Sequence, residues 1–437
     1  MSRLPLLARG APGTVVARGR GRAVTAGEFL RDVAQQAAAL PDRSYLLNLC
    51  TDRYRFAVGL AAALARGQTS LLPPNEAPDL LARLAGRYRG LYCLADEPGE
   101  RAGLETVLAA DGAGATPAAE LVFPAAQAAV IVFTSGSTGE PVPHAKSWGA
   151  LVGSARAEIE RLRVEPGASI LATVPPQHVY GLESTVMMPL QGGCALHAER
   201  PFYPADIRAA LDALPRPRGL VTTPVHLRVL LAEPEAVPPA DFIVCATAPL
   251  SPQLAAQAEA RFGTHLHEIY GCTEAGQVAS RRTVETDEWR ALRGVALRTD
   301  GEGTHVLGGH VEREILLGDV IELRGRERFL LHGRTADLVN VAGKRASIAH
   351  LNYHLNSIEG VRDGAFAMPE AEGEGVARLM AFVVAPGVAR ETILAALRQR
   401  IDPAFMPRPL CFVDELPRNA TGKLPRKNLD QLARKAG

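Results

Sequence analysis

The residues that could do chemistry most plainly lie in Phe133-Thr-Ser-Gly-Ser-Thr-Gly-Glu-Pro141. Residues 129–133 are five apolar positions in a row, the pattern of an interior strand. Behind them Thr134, Ser135, Ser137 and Thr138 offer hydroxyls, while Gly136 and Gly139 let the backbone turn so that its N–H groups converge. Such a loop can cradle a polyphosphate. The plainer alternative is a surface turn, because Ser, Thr and Gly are turn formers first. Spacing argues against a Walker-type loop: that motif closes on Lys followed by Ser or Thr, whereas this one runs into Gly139-Glu140-Pro141-Val142.

Four further stretches follow in chain order. They are Pro175-Pro-Gln-His178-Val-Tyr180-Gly181, then Tyr270-Gly-Cys-Thr273-Glu274, then Gly318-Asp319 with Gly333-Arg334, and finally Leu416-Pro-Arg-Asn-Ala-Thr-Gly422-Lys423. Each has an ordinary explanation. His178 could be a core histidine, Glu274 an acid favoured at a helix start, Asp319 a turn residue and Lys423 a solvated lysine. Five stretches in order, each at a strand end or in a glycine-marked loop, outweigh those separate explanations.

The elements that must position these residues alternate. Thr25-Ala-Gly-Glu28 is a capping box, and apolar residues at helical spacing run from Phe29 to Leu40, where Pro41 ends the helix. Strand patterns fall at 45–49, 130–133, 170–174, 220–223, 242–246 and 266–270, with helical stretches between. Ser251-Pro252 opens a helix that Gly263 closes. Residues 311–332 read as a small β region, and beyond Gly333 a new α+β pattern of about one hundred residues begins. The expected fold is therefore α/β: a large layered N-terminal domain with parallel-rich sheets and a small β region, residues 1–332, plus a small C-terminal α+β domain, residues 333–437.

Composition narrows the function. With 437 residues and 47% hydrophobic content the chain can bury more than one core. Lys+Arg 48 against Asp+Glu 47 gives a net charge of +1, which disfavours nucleic acid as a partner. The sequence shows no run long enough to span a bilayer and no apolar leader, so a cytoplasmic location is expected. Cys50, Cys93, Cys194, Cys245, Cys272 and Cys411 have no paired spacing and read as reduced thiols.

From residue 125 onward these motifs resemble the AMP-forming acyl-adenylating superfamily: acyl- and aryl-CoA synthetases, peptide-synthetase adenylation domains and luciferase. The resemblance implies that a small carboxylic acid attacks the α-phosphate of ATP, that pyrophosphate leaves, and that the acyl group then passes to a thiol. That thiol would be CoA or the phosphopantetheine of a carrier protein supplied in trans. It also implies roles. Thr134, Ser135, Gly136, Ser137, Thr138 and Gly139 would hold the β- and γ-phosphates. Thr273 would donate to the α-phosphate and Glu274 would bind Mg²⁺. Tyr270 would face adenine, Asp319 and Arg334 would take the ribose hydroxyls, and His178 would position the acid and the thiol. Lys423 would bridge the attacking carboxylate and the α-phosphate from a C-terminal domain that swings between the two steps.

Three positions depart from the family pattern. Val142 stands where a lysine is usual, with Lys146 as the candidate replacement or else a solvated lysine beside Trp148. Ala336 occupies the hinge position, and Cys245-Ala-Thr-Ala-Pro249 replaces a glycine-rich pocket segment. Val142 and Ala336 keep a non-catalytic nucleotide or acyl-adenylate binder as the alternative, against which Glu274 and Lys423 argue. Nothing specific supports a luciferase-like oxygenase.

Overall fold

The computed structural model describes residues 2–8, 11–19, 21–110, 120–135, 141–334, 338–341, 344–368, 379–418, 424 and 426–436. Thr25 opens the helix Ala26–Ala39 with both halves of the capping box, its backbone N–H reaching the Glu28 carboxylate at 2.7 Å. Ser251 caps Pro252–Phe262, and Gly263 ends it at φ +67°.

Among the described residues, two sheets dominate the N-terminal region. One has 6 strands in the order Pro141–Ser147, Ala128–Ser135, Thr69–Leu72, Tyr45–Asn48, Tyr92–Ala95 and Thr106–Leu108, parallel except for the first pair. The other has 11 strands, and its parallel centre runs Leu266–Cys272, Phe242–Cys245, Arg218–Thr222, Ser169–Ala172 and Ala195–His197. The central strands Phe242–Cys245 and Ser169–Ala172 are buried throughout, which is why they read as unbroken apolar runs. The alanine-rich helix Arg53–Ala65 touches both sheets, and Phe56, Leu60 and Leu64 share one core with Phe29, Val132, Trp148 and Leu196.

Arg53 starts that helix fully buried. Its guanidinium donates to the carbonyls of His197 (2.7 Å), Val174 (2.8 Å), Glu199 (3.2 Å) and Ala172 (3.3 Å) and to the Thr185 hydroxyl (3.0 Å). Five acceptors make this charge tolerable inside, although burial still pulls its pKa down to about 9. The bonds fasten the segment that leads from Ser169–Ala172 to His178.

Val311–Leu316 joins Val295–Thr299 and Thr304–Gly308 in a small 3-stranded sheet, whereas the rest of the β region expected over residues 311–332 lies in Asp319–Leu323 and Arg328–Arg334, at one edge of the 11-stranded sheet. The C-terminal region is smaller and has its own core of Leu351, Leu355, Phe366, Ile393 and Leu397 beneath the strands Asp363–Ala367, Met380–Val384 and Leu410–Phe412. This is the mixed α/β architecture expected, a large N-terminal part of parallel-rich sheets and a smaller C-terminal one. The two parts meet where Gln253 Nε2 donates to the Ser357 carbonyl at 2.9 Å and Asp363 faces Arg228 at 3.6 Å.

Candidate active site

The strand Ala128–Ser135 pairs antiparallel with Pro141–Ser147, Thr134 opposite Val142 and Val130 opposite Lys146. Gly136, Ser137, Thr138 and Gly139, between these strands, lie outside the described residues, and Ser135 is described in its backbone alone. The Thr134 hydroxyl lies 2.9 Å from His144 Nε2, and that nitrogen is 3.7 Å from Glu274 Oε1. Burial pulls the His144 imidazole below its ordinary pKa, against the attraction of Glu274. Two residues further, Lys146 is 6% exposed and donates from Nζ to the Glu274 carbonyl at 3.1 Å, so it is not a solvated lysine. Val142 is 44% exposed.

Glu274 follows the carboxyl end of Leu266–Cys272, a central parallel strand and the edge at which α/β sheets place ligands. A bulge between Tyr270 and Gly271 turns the chain there. Gly271 is required: a Cβ at this position would lie 2.3 Å from the Gly276 carbonyl oxygen. Thr273 and Glu274 are both half-buried. Burial, and then the neighbouring Asp319, raises the Tyr270 phenol, whose hydroxyl donates to Asp319 Oδ2 at 2.7 Å. The Tyr270 ring is 8% exposed and lies against Trp289 and Phe329, with centroids 5.6 and 5.7 Å away. Asp319 is in turn the register partner of the exposed Arg334.

His178 precedes the short helix Val179–Leu182, and its carbonyl accepts from Leu182 N at 2.7 Å. Gly181 permits the approach, since a Cβ there would sit 1.9 Å from the Pro175 carbonyl oxygen. The Tyr180 hydroxyl donates toward the carbonyls of Thr222 (3.1 Å) and Val244 (3.0 Å), spanning two neighbouring parallel strands. Thr173 adds a hydroxyl 2.9 Å from both Thr222 Oγ1 and His226 Nδ1. The chain then makes a π-helical turn, Glu183–Met187, of the kind that often marks functional sites.

Thr134 is thus joined to Glu274 through His144, and Tyr270 to Asp319, while His178 follows the strand Ser169–Ala172 of the sheet that carries Tyr270. Ala336 and Lys423 lie outside the described residues. Sequence reasoning passed over His144, Glu158 and Glu183. Glu158 is fully buried and pushed up to about 7 by desolvation, and Glu183, likewise buried, is raised to about 6. Glu183 had one signal, its place five residues after His178. Cys272 is pushed up to about 12, mainly by burial, so its thiol stays protonated and is a poor nucleophile.

A family profile described as AMP-binding enzyme matches residues 90–306, and one for the AMP-binding enzyme C-terminal domain matches residues 357–423. The chain is similar to a 4-coumarate–CoA ligase of Halorhodospira halophila, 30% identical over 330 residues, covering 70% of this chain and 78% of that one. Among solved structures it shares its fold with ATP-bound MatB from Rhodopseudomonas palustris, at 19% identity and a TM-score of 0.83, covering 97% of each chain. The o-succinylbenzoate CoA synthetase of Bacillus subtilis in complex with its acyl-adenylate has a TM-score of 0.79 at 17% identity, covering 98% of each chain. The chain belongs to the AMP-forming acyl-adenylating superfamily, enzymes that activate a carboxylic acid as its acyl-adenylate with release of pyrophosphate and then pass the acyl group to a thiol.

Proposed function

We propose that the protein joins a small aryl or medium-chain carboxylic acid to coenzyme A, in the cytoplasm, with ATP as the energy source. The observation that carries this reading is the group Thr134, His144 and Glu274, spaced at 2.9 and 3.7 Å, which joins the strand Ala128–Ser135 to the carboxyl edge of the large sheet. The CoA-ligase relative supports coenzyme A as acceptor, and its aryl acid supports the substrate class. Among the described residues, no helix is long and apolar enough to cross a membrane.

Each residue then has a task. The loop 134–139 grips the β- and γ-phosphates, aligning pyrophosphate as the leaving group. Thr273 donates to the α-phosphate. Asp319, oriented by the Tyr270 hydroxyl, accepts from the ribose together with Arg334 as donor. Glu274 fits Mg²⁺ on chemical grounds: a carboxylate with 36% of its side chain accessible, one imidazole away from the Thr134 hydroxyl, is the hard-oxygen ligand that cation takes. Bound there with the nucleotide, Mg²⁺ would offset phosphate charge. His178 orients the acid and later the thiol.

Lys423 holds the attacking carboxylate and the α-phosphate together, a bridge worth most in the transition state, where two anions meet. It travels with a mobile unit comprising residues 333–437, which withdraws after adenylation to admit the thiol. Tyr180, anchored at both strand ends, bounds the acyl pocket and favours compact acids. Incubation with ATP, Mg²⁺ and a panel of acids, scored for AMP with CoA and then with a holo carrier protein, tests the proposal. AMP formation dependent on one acid class and on CoA is expected. ATP left intact by every acid would overturn it.

A further inference from the structure

Val142, where the family carries a lysine, leaves the phosphate loop one cation short, yet the same strand places two nitrogenous side chains below it. Residues 142, 144 and 146 alternate onto one face of Pro141–Ser147. His144 Nε2 contacts the Thr134 hydroxyl at 2.9 Å and lies 3.7 Å from the Glu274 carboxylate, while Lys146 Nζ holds the Glu274 carbonyl at 3.1 Å. One strand therefore holds Glu274 at its backbone and sets an imidazole beside its side chain.

A third support comes from beneath. Glu183 is buried, and its Oε1 lies 2.6 Å from where a Cβ on Gly276 would stand, so its carboxylate is pressed against the turn that carries Thr273 and Glu274. Gly276 has φ +80°, a conformation that suits glycine, and its missing side chain makes room for this acid. Burial raises the Glu183 carboxyl, and the Lys146 charge pulls it part of the way back. Lys146, 6% exposed, is tolerated inside because the Glu274 carbonyl accepts from its ammonium.

We infer that Lys146, with His144, is a positioning residue: the pair braces the Thr273–Glu274 turn against the phosphate-binding strands, a task distinct from that of the lysine absent at Val142. This rests on the adenylation reading of the site. At 6% exposure Lys146 offers a nucleotide almost no surface, so it acts through Glu274 and not by touching phosphate. Fixing the turn sets the separation between Thr134 and the acid, the geometry on which phosphate alignment depends.

Hydrogen exchange of the nucleotide-free protein over residues 270–278 tests this without any turnover. Lys146→Met keeps the chain length and removes the charge; exchange in that segment should quicken about tenfold, and KM for MgATP should rise about tenfold with a smaller fall in kcat. Adding Val142→Lys should restore neither. Native protection in Lys146→Met, or full recovery by Val142→Lys, would overturn the inference. Should Lys146→Met not fold, His144→Ala carries the same exchange prediction. A protein that hydrolyses ATP with no acid but shows the loosened segment would overturn the functional reading and leave the brace standing.

Discussion

Tyr270 and Asp319, 49 residues apart, meet through a 2.7 Å hydrogen bond that ties the carboxyl end of a central parallel strand to an edge strand of the same sheet. The bond fixes a carboxylate of Asp319–Leu323 against the strand that leads into Thr273 and Glu274. A hydrogen bond to a charged acceptor contributes about 1.5–3 kcal/mol. Tyr270→Phe should therefore raise KM for ATP about tenfold while the protein stays folded, and Asp319→Ala should raise it further. Calorimetric ATP affinity is the check; an unchanged affinity in both variants would remove Asp319 from the nucleotide site.

Glu274→Gln keeps the shape of the side chain and the Lys146 contact to its carbonyl but removes the hard anionic ligand. Adenylation should need much higher Mg²⁺, with a rate loss on the order of 10²-fold at millimolar metal. Rate against Mg²⁺ concentration decides it, since a parallel drop at every concentration would mean that Glu274 does not ligate the metal.

Glu158 gives the protein a pH signature. Its carboxyl is fully buried, takes the Ser184 hydroxyl at 2.7 Å and is pushed up from 4.5 to about 7, so the folded protein keeps a proton there that the unfolded chain releases near 4.5. Between those values the folded state binds more protons, and stability must fall as pH rises. At ~1.4 kcal/mol per pH unit the upper figure is roughly 3 kcal/mol. Glu158→Gln should flatten the decline in Tm from pH 5 to pH 7; an identical slope in both proteins would refute this.

Thr247 sits at φ +83°, exposed just beyond the carboxyl end of Phe242–Cys245, in the segment where the resemblance leads one to expect glycines. A β-branched residue there is strained, commonly by about 1–3 kcal/mol. Thr247→Gly should stabilise the fold by about 1 kcal/mol after the entropy cost of glycine. Denaturant midpoints measure it, and a lowered midpoint would contradict the strain.

Local signals carried far in this chain. Thr25 with Glu28, and Ser251 with Gly263, marked helices whose caps are made as the residue types require. Central strands such as Phe242–Cys245 were legible because burial on both faces leaves apolar runs. Thr69–Leu72, Tyr92–Ala95 and Thr106–Leu108 went unseen. Pro141–Ser147 was hidden by its two prolines, which an edge strand tolerates. The burial of Lys146 depends on the Glu274 carbonyl, a partner brought by tertiary packing that no local pattern encodes.

The most direct test separates the two half-reactions in Lys423→Ala. If this ammonium draws the acid onto the α-phosphate, acid-dependent pyrophosphate exchange should fall roughly 10²–10³-fold, while thioester formation from supplied acyl-AMP and CoA continues near the wild-type rate. Equal loss in both half-reactions, or full exchange without the lysine, would contradict the account.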